Sequence, residues 1–268
     1  MQILEALQYI KSQTTAQPTV AVVLGSGLGN FTSQLSITSR INYSDIPHFP
    51  VTTVQGHGGQ LLFGNLHGKQ VVCMSGRFHY YEGYSTQQIV FPIRLLKALG
   101  VQTLLLSNAA GGVGAGFAVG DIMVITDHIS FAIKNPLLGK NDDELGPRFP
   151  DMSEPYSKHL IAMVNAIAQH NSIALQHGVY FGVTGPTFET RAEYKLIQLL
   201  GAHAVGMSTV QEVIAAKHCG LTVFAMSIIA DIGIREEDNI ITHHDVLEAV
   251  NAAEPKFTLL FTELIKSL

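Results

Sequence analysis

The chain has 268 residues, of which 47% are hydrophobic and 14% are charged. This composition predicts a large buried core and excludes a disordered chain or a coiled coil. Lysine and arginine total 16 against 21 aspartates and glutamates, a formal net charge of -5, which argues against a nucleic-acid partner. The longest apolar runs, at residues 20–24 and 222–229, are shorter than the roughly 18 to 20 residues of a membrane-spanning helix, so we expect no membrane partner.

The N-terminal stretch and the cysteines predict the compartment and the absence of bound metal. Residues 1–10 are amphipathic, include Glu5 and carry no basic leader, so we expect a cytoplasmic protein. Cys73 and Cys219 lie far apart in unrelated contexts, which predicts neither a disulfide framework nor a cysteine zinc site. Because H-E-x-x-H motifs and paired cysteines are missing from the sequence, we expect no metal.

Short runs rich in valine and isoleucine alternate with helix-length periodic stretches, which predicts an α/β fold with a central sheet flanked by helices. The elements predicted in the first half are a helix at 2–13, a strand at 20–24, a hairpin of strands 60–63 and 71–74 with a five-residue loop, a helix from 85 or 86 to 99, and a strand at 103–107. The hairpin makes the sheet locally antiparallel, so we expect a mixed sheet.

The second half repeats the alternation after one long interruption. Residues 134–155 are rich in proline, glycine and asparagine and predict an irregular, functional loop. The other predicted elements are strands at 121–126, 179–184, 203–207 and 222–229, and helices at 156–170, 190–200, 209–218 and from 243 or 244 onward. Pro255 should kink the last helix or begin a new one. No repeat or linker divides the chain, so we expect one domain over residues 1–268.

A glycine-rich turn directly follows the first predicted strand. Residues 25–29 read Gly-Ser-Gly-Leu-Gly, in which the glycines let backbone amides approach an anion and Ser26 adds a hydroxyl donor. The spacing fits neither the dinucleotide fingerprint nor the loop of nucleotide hydrolases. The pattern therefore predicts a phosphate cradle, and a tight turn without a ligand is the alternative.

A second cluster of polar side chains follows the strand at 71–74. If the chain stays extended, Arg77, His79 and Tyr81 point to one side, where the planar fork of Arg77 suits an oxyanion. Glu82 can fix the tautomer of His79 by accepting one ring proton. The alternative is an exposed aromatic edge strand with its own ion pair. His57, in a loop with three glycines, is equally balanced between a ligand role and a structural one.

Three further motifs follow predicted strands, at the edge where open α/β sheets bind ligands. Asn108 begins the first, Asn-Ala-Ala-Gly-Gly, and residues 185–190 place Phe188 beside Glu189, where a flat heterocycle could stack and be hydrogen-bonded. The third, residues 205–209, ends in Ser-Thr. The alternatives are a plain turn, a carboxylate favoured by a helix dipole, and a helix cap, respectively.

These motifs, in this order, resemble the purine nucleoside phosphorylases of the trimeric type. The similarity lies in VVLGSGLG, GHGGQLLFG, GRFHYYEGY, SNAAGG, GPRFPDMS, GVYFGVTGPTFET and AVGMSTVQEVIAAKHCGL, over about residues 20–230. The resemblance implies a mixed α/β fold and a homotrimer that cleaves purine ribonucleosides with inorganic phosphate, giving the free base and ribose 1-phosphate. It implies no metal and no cofactor. Inorganic phosphate is a co-substrate.

The same resemblance assigns residues to each part of the substrate. The implied phosphate ligands are Ser26, Arg77, His79, Ser208 and the backbone amide of Ala109, with His57 close by. The implied nucleoside ligands are Tyr81 and Met207 at the ribose, His244 near the 5′-hydroxyl with His243 adjacent, Phe188 and Glu189 at the base, and Asn108. Phe149, in the irregular loop, resembles the phenylalanine that reaches into a neighbouring subunit's ribose pocket. We expect His79, Glu189, Asp231 and His244 to be the catalytic groups.

The chain departs from the family pattern at Asp231. Relatives specific for 6-oxopurines carry asparagine there, and a neutral amide can donate to N7 of the purine, whereas an ionised carboxylate can only accept. Asp231 must therefore be protonated, or share a proton with the purine, to assist the leaving base. This residue leaves open a 5′-methylthioadenosine-type phosphorylase, which acts on 6-aminopurines. A nucleoside-binding protein without catalysis is a further alternative.

Overall fold

One nine-stranded sheet organises the protein in the computed structural model, which describes residues 1–54, 58–235 and 240–268. Within these ranges the strands are β1 Val20–Val23, β2 Ser36–Asn42, β3 Gln60–Leu66, β4 Lys69–Ser75, β5 Thr103–Gly112, β6 Ile122–Ile129, β7 Gln176–Gly182, β8 Ala204–Gly206 and β9 Thr222–Ile232. The α-helices over the same ranges are α1 Gln2–Gln13, α2 Thr86–Ala98, α3 Lys158–His170, α4 Arg191–Leu199, α5 Val210–His218 and α6 His243–Ser267.

The sheet is mixed, and part of it closes on itself. Its order is β2-β3-β4-β1-β5-β8-β7-β6-β9, with a further pairing of β5 with β9, so the five strands from β5 to β9 form a ring. Strands β4, β1, β5 and β9 run parallel, whereas β3 is antiparallel to β4 and β8 is antiparallel to β5. The predicted α/β class with a mixed central sheet is confirmed.

Helices cover both faces of the sheet and bury two large apolar clusters. On one face α6 buries Phe257, Phe261 and Leu264 completely, and each such side chain contributes roughly 1.5 to 3 kcal/mol when removed from water. The helix continues through Pro255, so the proline does not begin a new helix as one of our two expectations had it. None of the described helices is long and apolar enough to cross a membrane.

Several element boundaries differ from the sequence prediction. The hairpin loop is the two-residue turn His67-Gly68, whose φ angles of 49° and 82° fit a type I′ turn between strands that extend to it. Strand β2 was missed because its alternating, mostly exposed residues lack a buried run. The Asn-Ala-Ala-Gly-Gly motif lies inside β5 rather than after it, because residues 108–112 pair with β9 and the last two also pair with β8.

Candidate active site

A cavity of about 740 Å³, open to solvent, lies at the carboxyl ends of β1 and β4, where β5, β8 and β9 also contribute side chains. Parallel strands β4, β1 and β5 bring the motifs that follow or end them to the same edge. The sequence-predicted residues that line it are Ser26, Arg77, His79, Tyr81, Asn108, Ala109, Phe188, Glu189, Met207, Ser208 and Asp231. Motifs separated by more than 200 residues in the chain therefore line one site.

The glycine-rich turn is fastened to strand β5 by a buried serine. The Ser107 hydroxyl accepts a hydrogen bond from the Gly25 amide at 3.0 Å and donates to the Val23 carbonyl at 2.9 Å. A side chain at Gly25 would meet the β5 backbone at 2.9 Å, so glycine is needed for this close approach. The turn that carries Ser26 is thereby held at the cavity edge.

Arg77 is anchored by a carboxylate that sequence reasoning missed. The Arg77 side chain is 1% exposed; its Nε donates to Glu212 Oε1 at 3.1 Å, and its Nη2 lies 3.0 Å from Oε2. It also donates to the Ser107 carbonyl. Glu212 in turn accepts a hydrogen bond from the Thr209 amide at 3.1 Å, which makes it both the cap of α5 and the counter-ion of Arg77.

Asn108 and Thr209 form a buried pair behind the same end of the cavity. The Asn108 amide donates to the Thr209 hydroxyl at 2.8 Å, and the Ser208 and Thr209 hydroxyls lie 3.2 Å apart. Thr209 has φ of 73°, a region that β-branched residues rarely adopt. The backbone at the Ser208-Thr209 turn is thus held in a costly conformation by its side-chain partners.

The imidazole of His79 is oriented by Glu82, as its sequence spacing suggested. Nδ1 of His79 lies 2.9 Å from Glu82 Oε1, and the ring stacks on Tyr81 with centroids 4.7 Å apart. Burial raises the pKa of the Glu82 carboxyl, but hydrogen bonds from His79 and Thr53 outweigh it and bring the pKa to about 2. Since an ionised Glu82 can only accept, the Nδ1 nitrogen of His79 carries the hydrogen of this contact.

Two carboxyl groups lie at the end of the cavity that carries Phe188. Burial raises the pKa of Glu189, and the nearby Asp231 raises it further. Burial also raises the pKa of Asp231, against the opposing effects of a hydrogen bond from Tyr194 and the charge of Arg235. Tyr194 donates to Asp231 Oδ2 at 3.3 Å. Burial at this end therefore disfavours the charged form of both carboxyls.

Two predicted residues, His244 and Phe149, are not among the residues that line this cavity. His243, not His244, is the histidine that lines it; both lie in the first turn of α6, where a shift of one residue turns a side chain by about 100°. Phe149 is 87% exposed and lines a different cavity, beside Arg148. His57 lies outside the described residues.

Glu212 and Tyr194 are the two functional candidates that sequence reasoning missed. Glu212 had a local signal, because Thr209 and Glu212 have the spacing of a capping box, but that pattern does not indicate a distant arginine. Tyr194 shares the buried face of α4 with Ile197, which indicates core packing and says nothing about its hydroxyl. Among the residues that the structure describes, no group of three histidine, cysteine or acidic side chains could hold a metal ion.

Comparison with known proteins shows to which family this chain belongs. The family model of the Phosphorylase superfamily matches residues 19–266. Purine nucleoside phosphorylase 1 of Geobacillus stearothermophilus is 45% identical over 264 residues, 98% of this chain and 96% of the relative. Purine nucleoside phosphorylase of Rattus norvegicus is 47% identical over 268 residues, 97% of this chain and 93% of the relative.

A solved structure is similar to this protein along the whole chain. Isoform 2 of purine nucleoside phosphorylase from Schistosoma mansoni, in complex with cytosine and ribose-1-phosphate, superimposes with a TM-score of 0.95 at 42% identity. The match covers 100% of this chain and 96% of that one. The chain therefore belongs to the purine nucleoside phosphorylases of the Phosphorylase superfamily, and the predicted family is confirmed.

Proposed function

We propose that this protein cleaves the N-glycosidic bond of purine ribonucleosides with inorganic phosphate, releasing the purine base and ribose 1-phosphate. The observation that carries the proposal is one cavity that holds oxyanion donors, Ser26, Arg77 and Ser208, together with an aromatic ring and two carboxyls at Phe188, Glu189 and Asp231. The fold, the family and the named activity of the relatives support the same reaction. The enzyme would be a pentosyltransferase.

At the phosphate end we propose that the protein positions the nucleophile. Ser26, Ser208 and the Ala109 backbone offer uncharged donors, and Arg77 supplies the positive charge. His79, whose Nδ1 hydrogen is directed to Glu82, would accept at Nε2 a hydrogen bond from a hydroxyl of the phosphate. A phosphate oxygen then forms the new bond to C1′ as the bond to N9 breaks.

At the base end the site must receive negative charge. The electrons of the broken bond go to the purine while the sugar becomes oxocarbenium-like, so groups that stabilise the departing base lower the barrier. Phe188 would stack on the purine, Glu189 would accept a hydrogen bond from N1–H of a 6-oxopurine, and a protonated Asp231 would donate to N7. Burial raises the pKa of Asp231, against the opposing effects of the Tyr194 hydrogen bond and the charge of Arg235.

Tyr81 and Met207 would contact the ribose, and His243 would lie near the 5′-hydroxyl, because all three line the cavity. A second copy of the chain would complete the site. Phe149 exposes 87% of its surface, which leaves its ring accessible to another chain, and we propose a homotrimer in which this ring enters a neighbour's ribose pocket.

The setting of the enzyme belongs to the same proposal. The enzyme would act in purine salvage in the cytoplasm, with a nucleoside and phosphate as its partners. It would need no cofactor and would bind no nucleic acid or membrane. The single sheet and the family match over residues 19–266 support one domain over 1–268.

A 5′-methylthioadenosine-type phosphorylase is the second candidate, and Asp231 is the observation that favours it, because an ionised carboxylate accepts a hydrogen bond from a 6-amino group. The deciding experiment measures release of base from inosine, adenosine and 5′-methylthioadenosine with and without phosphate. We expect phosphate-dependent hypoxanthine from inosine. Turnover of 5′-methylthioadenosine alone would establish the second candidate, and binding without turnover of any of them would indicate a nucleoside-binding protein.

A further inference from the structure

Tyr194 is a buried tyrosine at the base end whose hydroxyl meets both carboxyls. It projects from α4, is 5% exposed, and donates to Asp231 Oδ2 at 3.3 Å; the Glu189 side chain is also hydrogen-bonded to it. Two glycines make room for this arrangement. A Cβ at Gly233 would overlap the Tyr194 ring, and one at Gly111 would lie 3.1 Å from Asp231 Oδ1.

One hydroxyl cannot serve two ionised carboxylates equally. Burial, and then the charges of Asp231 and Glu189, raise the pKa of Tyr194, so the phenol keeps its single hydrogen. The carboxyl that receives this hydrogen is stabilised as the anion. The other carboxyl faces an oxygen lone pair and is favoured there only if it carries a proton of its own.

We propose that Tyr194 is a specificity-determining positioning residue, whose hydroxyl shifts the pair from the state that inosine needs, with the proton on Asp231, toward the state in which Asp231 is ionised and the proton lies on Glu189. This inference rests on the proposed phosphorylase function. It adds that selection between 6-amino and 6-oxopurine nucleosides depends on a side chain of α4 that does not itself line the main cavity.

The consequence for the substrate follows from donor and acceptor matching. Ionised Asp231 accepts from the 6-amino group of adenosine, and protonated Glu189 donates to its N1. Inosine needs the opposite arrangement, because its N1–H requires an acceptor at Glu189 and its N7 is assisted by a donor at Asp231. Donation from Tyr194 to Asp231 therefore favours adenosine, and removing the hydroxyl favours inosine.

The other charged groups near Asp231 and Glu189 are the same residues in wild type and in a variant that lacks the Tyr194 hydroxyl. Arg235 acts on Asp231 and Glu193 acts on Glu189. Arg191 lines the neighbouring cavity that also includes Tyr194, and His243 lines the main one. Because these groups are present in both proteins, a difference between wild type and Tyr194→Phe reports the hydroxyl.

The test compares kcat/KM for adenosine and inosine, at one pH and saturating phosphate, in wild type and Tyr194→Phe. We expect the adenosine-to-inosine ratio to fall by about tenfold or more, the effect of losing a hydrogen bond to a charged group. Tyr156→Phe is the matched control, since Tyr156 is equally buried but bonds His128 at 3.0 Å and does not line the cavity. It should leave the ratio unchanged.

A purely structural role would lower kcat/KM for both nucleosides together and leave their ratio unchanged. In the Asp231→Asn background, Glu189 is the one carboxyl of this pair that remains, so Tyr194→Phe should no longer lower the adenosine-to-inosine ratio. Tyr194→Leu, which also lacks the hydroxyl, should shift it in the same direction as Tyr194→Phe. Wild-type turnover with an unchanged ratio in Tyr194→Phe and Tyr194→Leu overturns the inference, whereas a wild type inactive on both nucleosides overturns the proposed function.

Discussion

The guanidinium of Arg77 and the carboxylate of Glu212 meet through two pairs of atoms, at 3.1 and 3.0 Å, in the interior of the protein. We expect Arg77→Ala to weaken phosphate binding by about tenfold or more, because a contact between a charged donor and an anion contributes roughly 1.5 to 3 kcal/mol. Nucleoside binding should be largely retained. Two calorimetric titrations, one with phosphate and one with nucleoside, measure the two affinities in wild type and variant.

The same substitution leaves Glu212 buried without its counter-ion. Breaking such a pair costs about 3 to 5 kcal/mol of folding free energy, so Arg77→Ala should also lower the free energy of unfolding. Arg77→Ala/Glu212→Gln separates the two effects: it should recover stability but not phosphate affinity. Unchanged phosphate affinity in Arg77→Ala would remove this arginine from the proposed phosphate site.

Phe149→Ala should raise KM for the nucleoside several-fold and change KM for phosphate little, because the ring is proposed to enter a neighbouring ribose pocket. Sedimentation should give a mass of three chains for the wild type. Leu199→Ala is a suitable control, since Leu199 is 84% exposed and has no proposed role in the site. A fully active monomer would contradict the shared pocket.

Asp231→Asn should sharpen selectivity toward inosine. The amide can donate to N7 without a titrating proton, and its oxygen accepts from a 6-amino group more weakly than a carboxylate does. In the wild type we expect 6-oxopurine nucleosides to be substrates and adenosine to be cleaved detectably. The measurement is the ratio of kcat/KM for inosine and adenosine in both proteins, and an equal ratio would mean that Asp231 does not contact the base.

Glu82→Gln should reduce stability at neutral pH. The Glu82 carboxyl has a folded-state pKa of about 2 against an ordinary value of 4.5, so its ionised form is bound more favourably in the folded protein. After allowance for solvent screening, we expect a contribution of roughly 1 to 2 kcal/mol. This stability is present above pH 4.5 and is lost as the pH falls toward 2. Denaturant unfolding of wild type and variant should therefore differ at pH 7 and converge in acid.

Prolonged chelation with EDTA should leave turnover unchanged. In the proposed mechanism the charged groups are phosphate, Arg77 and the base-end carboxyls, and no step uses a metal ion. The check is the rate of inosine cleavage before and after dialysis against the chelator. Loss of activity that one divalent ion restores would contradict the mechanism.

Local pattern predicted a large part of this site. Arg77, His79 and Tyr81 all line one cavity, but the chain is extended only as far as His79, and Tyr81 lies in the short 3-10 turn Tyr80–Glu82. His79 and its partner Glu82 are three positions apart, a spacing that this turn allows. Motifs that follow parallel strands converge for the same reason, since such strands end at a common edge. These relationships depend on periods of two or three residues, which a sequence displays directly.

The remaining relationships join distant segments. Arg77 and Glu212 are 135 residues apart, and Tyr194 and Asp231 are 37 apart, so only the assembled sheet and helices make them neighbours. The strand conformation of residues 108–112 was not expected, because alanine and glycine have low strand propensity. Pairing with β9, and with β8 at its end, provides that conformation from outside the segment.

Thr209 gives the phosphate end a thermodynamic character of its own. Its left-handed φ of 73° costs about 1 to 3 kcal/mol, and it persists because Asn108 and Glu212 hold its hydroxyl and amide. The turn is thus a strained part of the binding edge and is already set before an anion arrives. Phosphate would therefore bind a preorganised surface without a reordering of the backbone. The conformational free energy of the turn lowers the stability of the folded protein and is not spent again in each catalytic cycle.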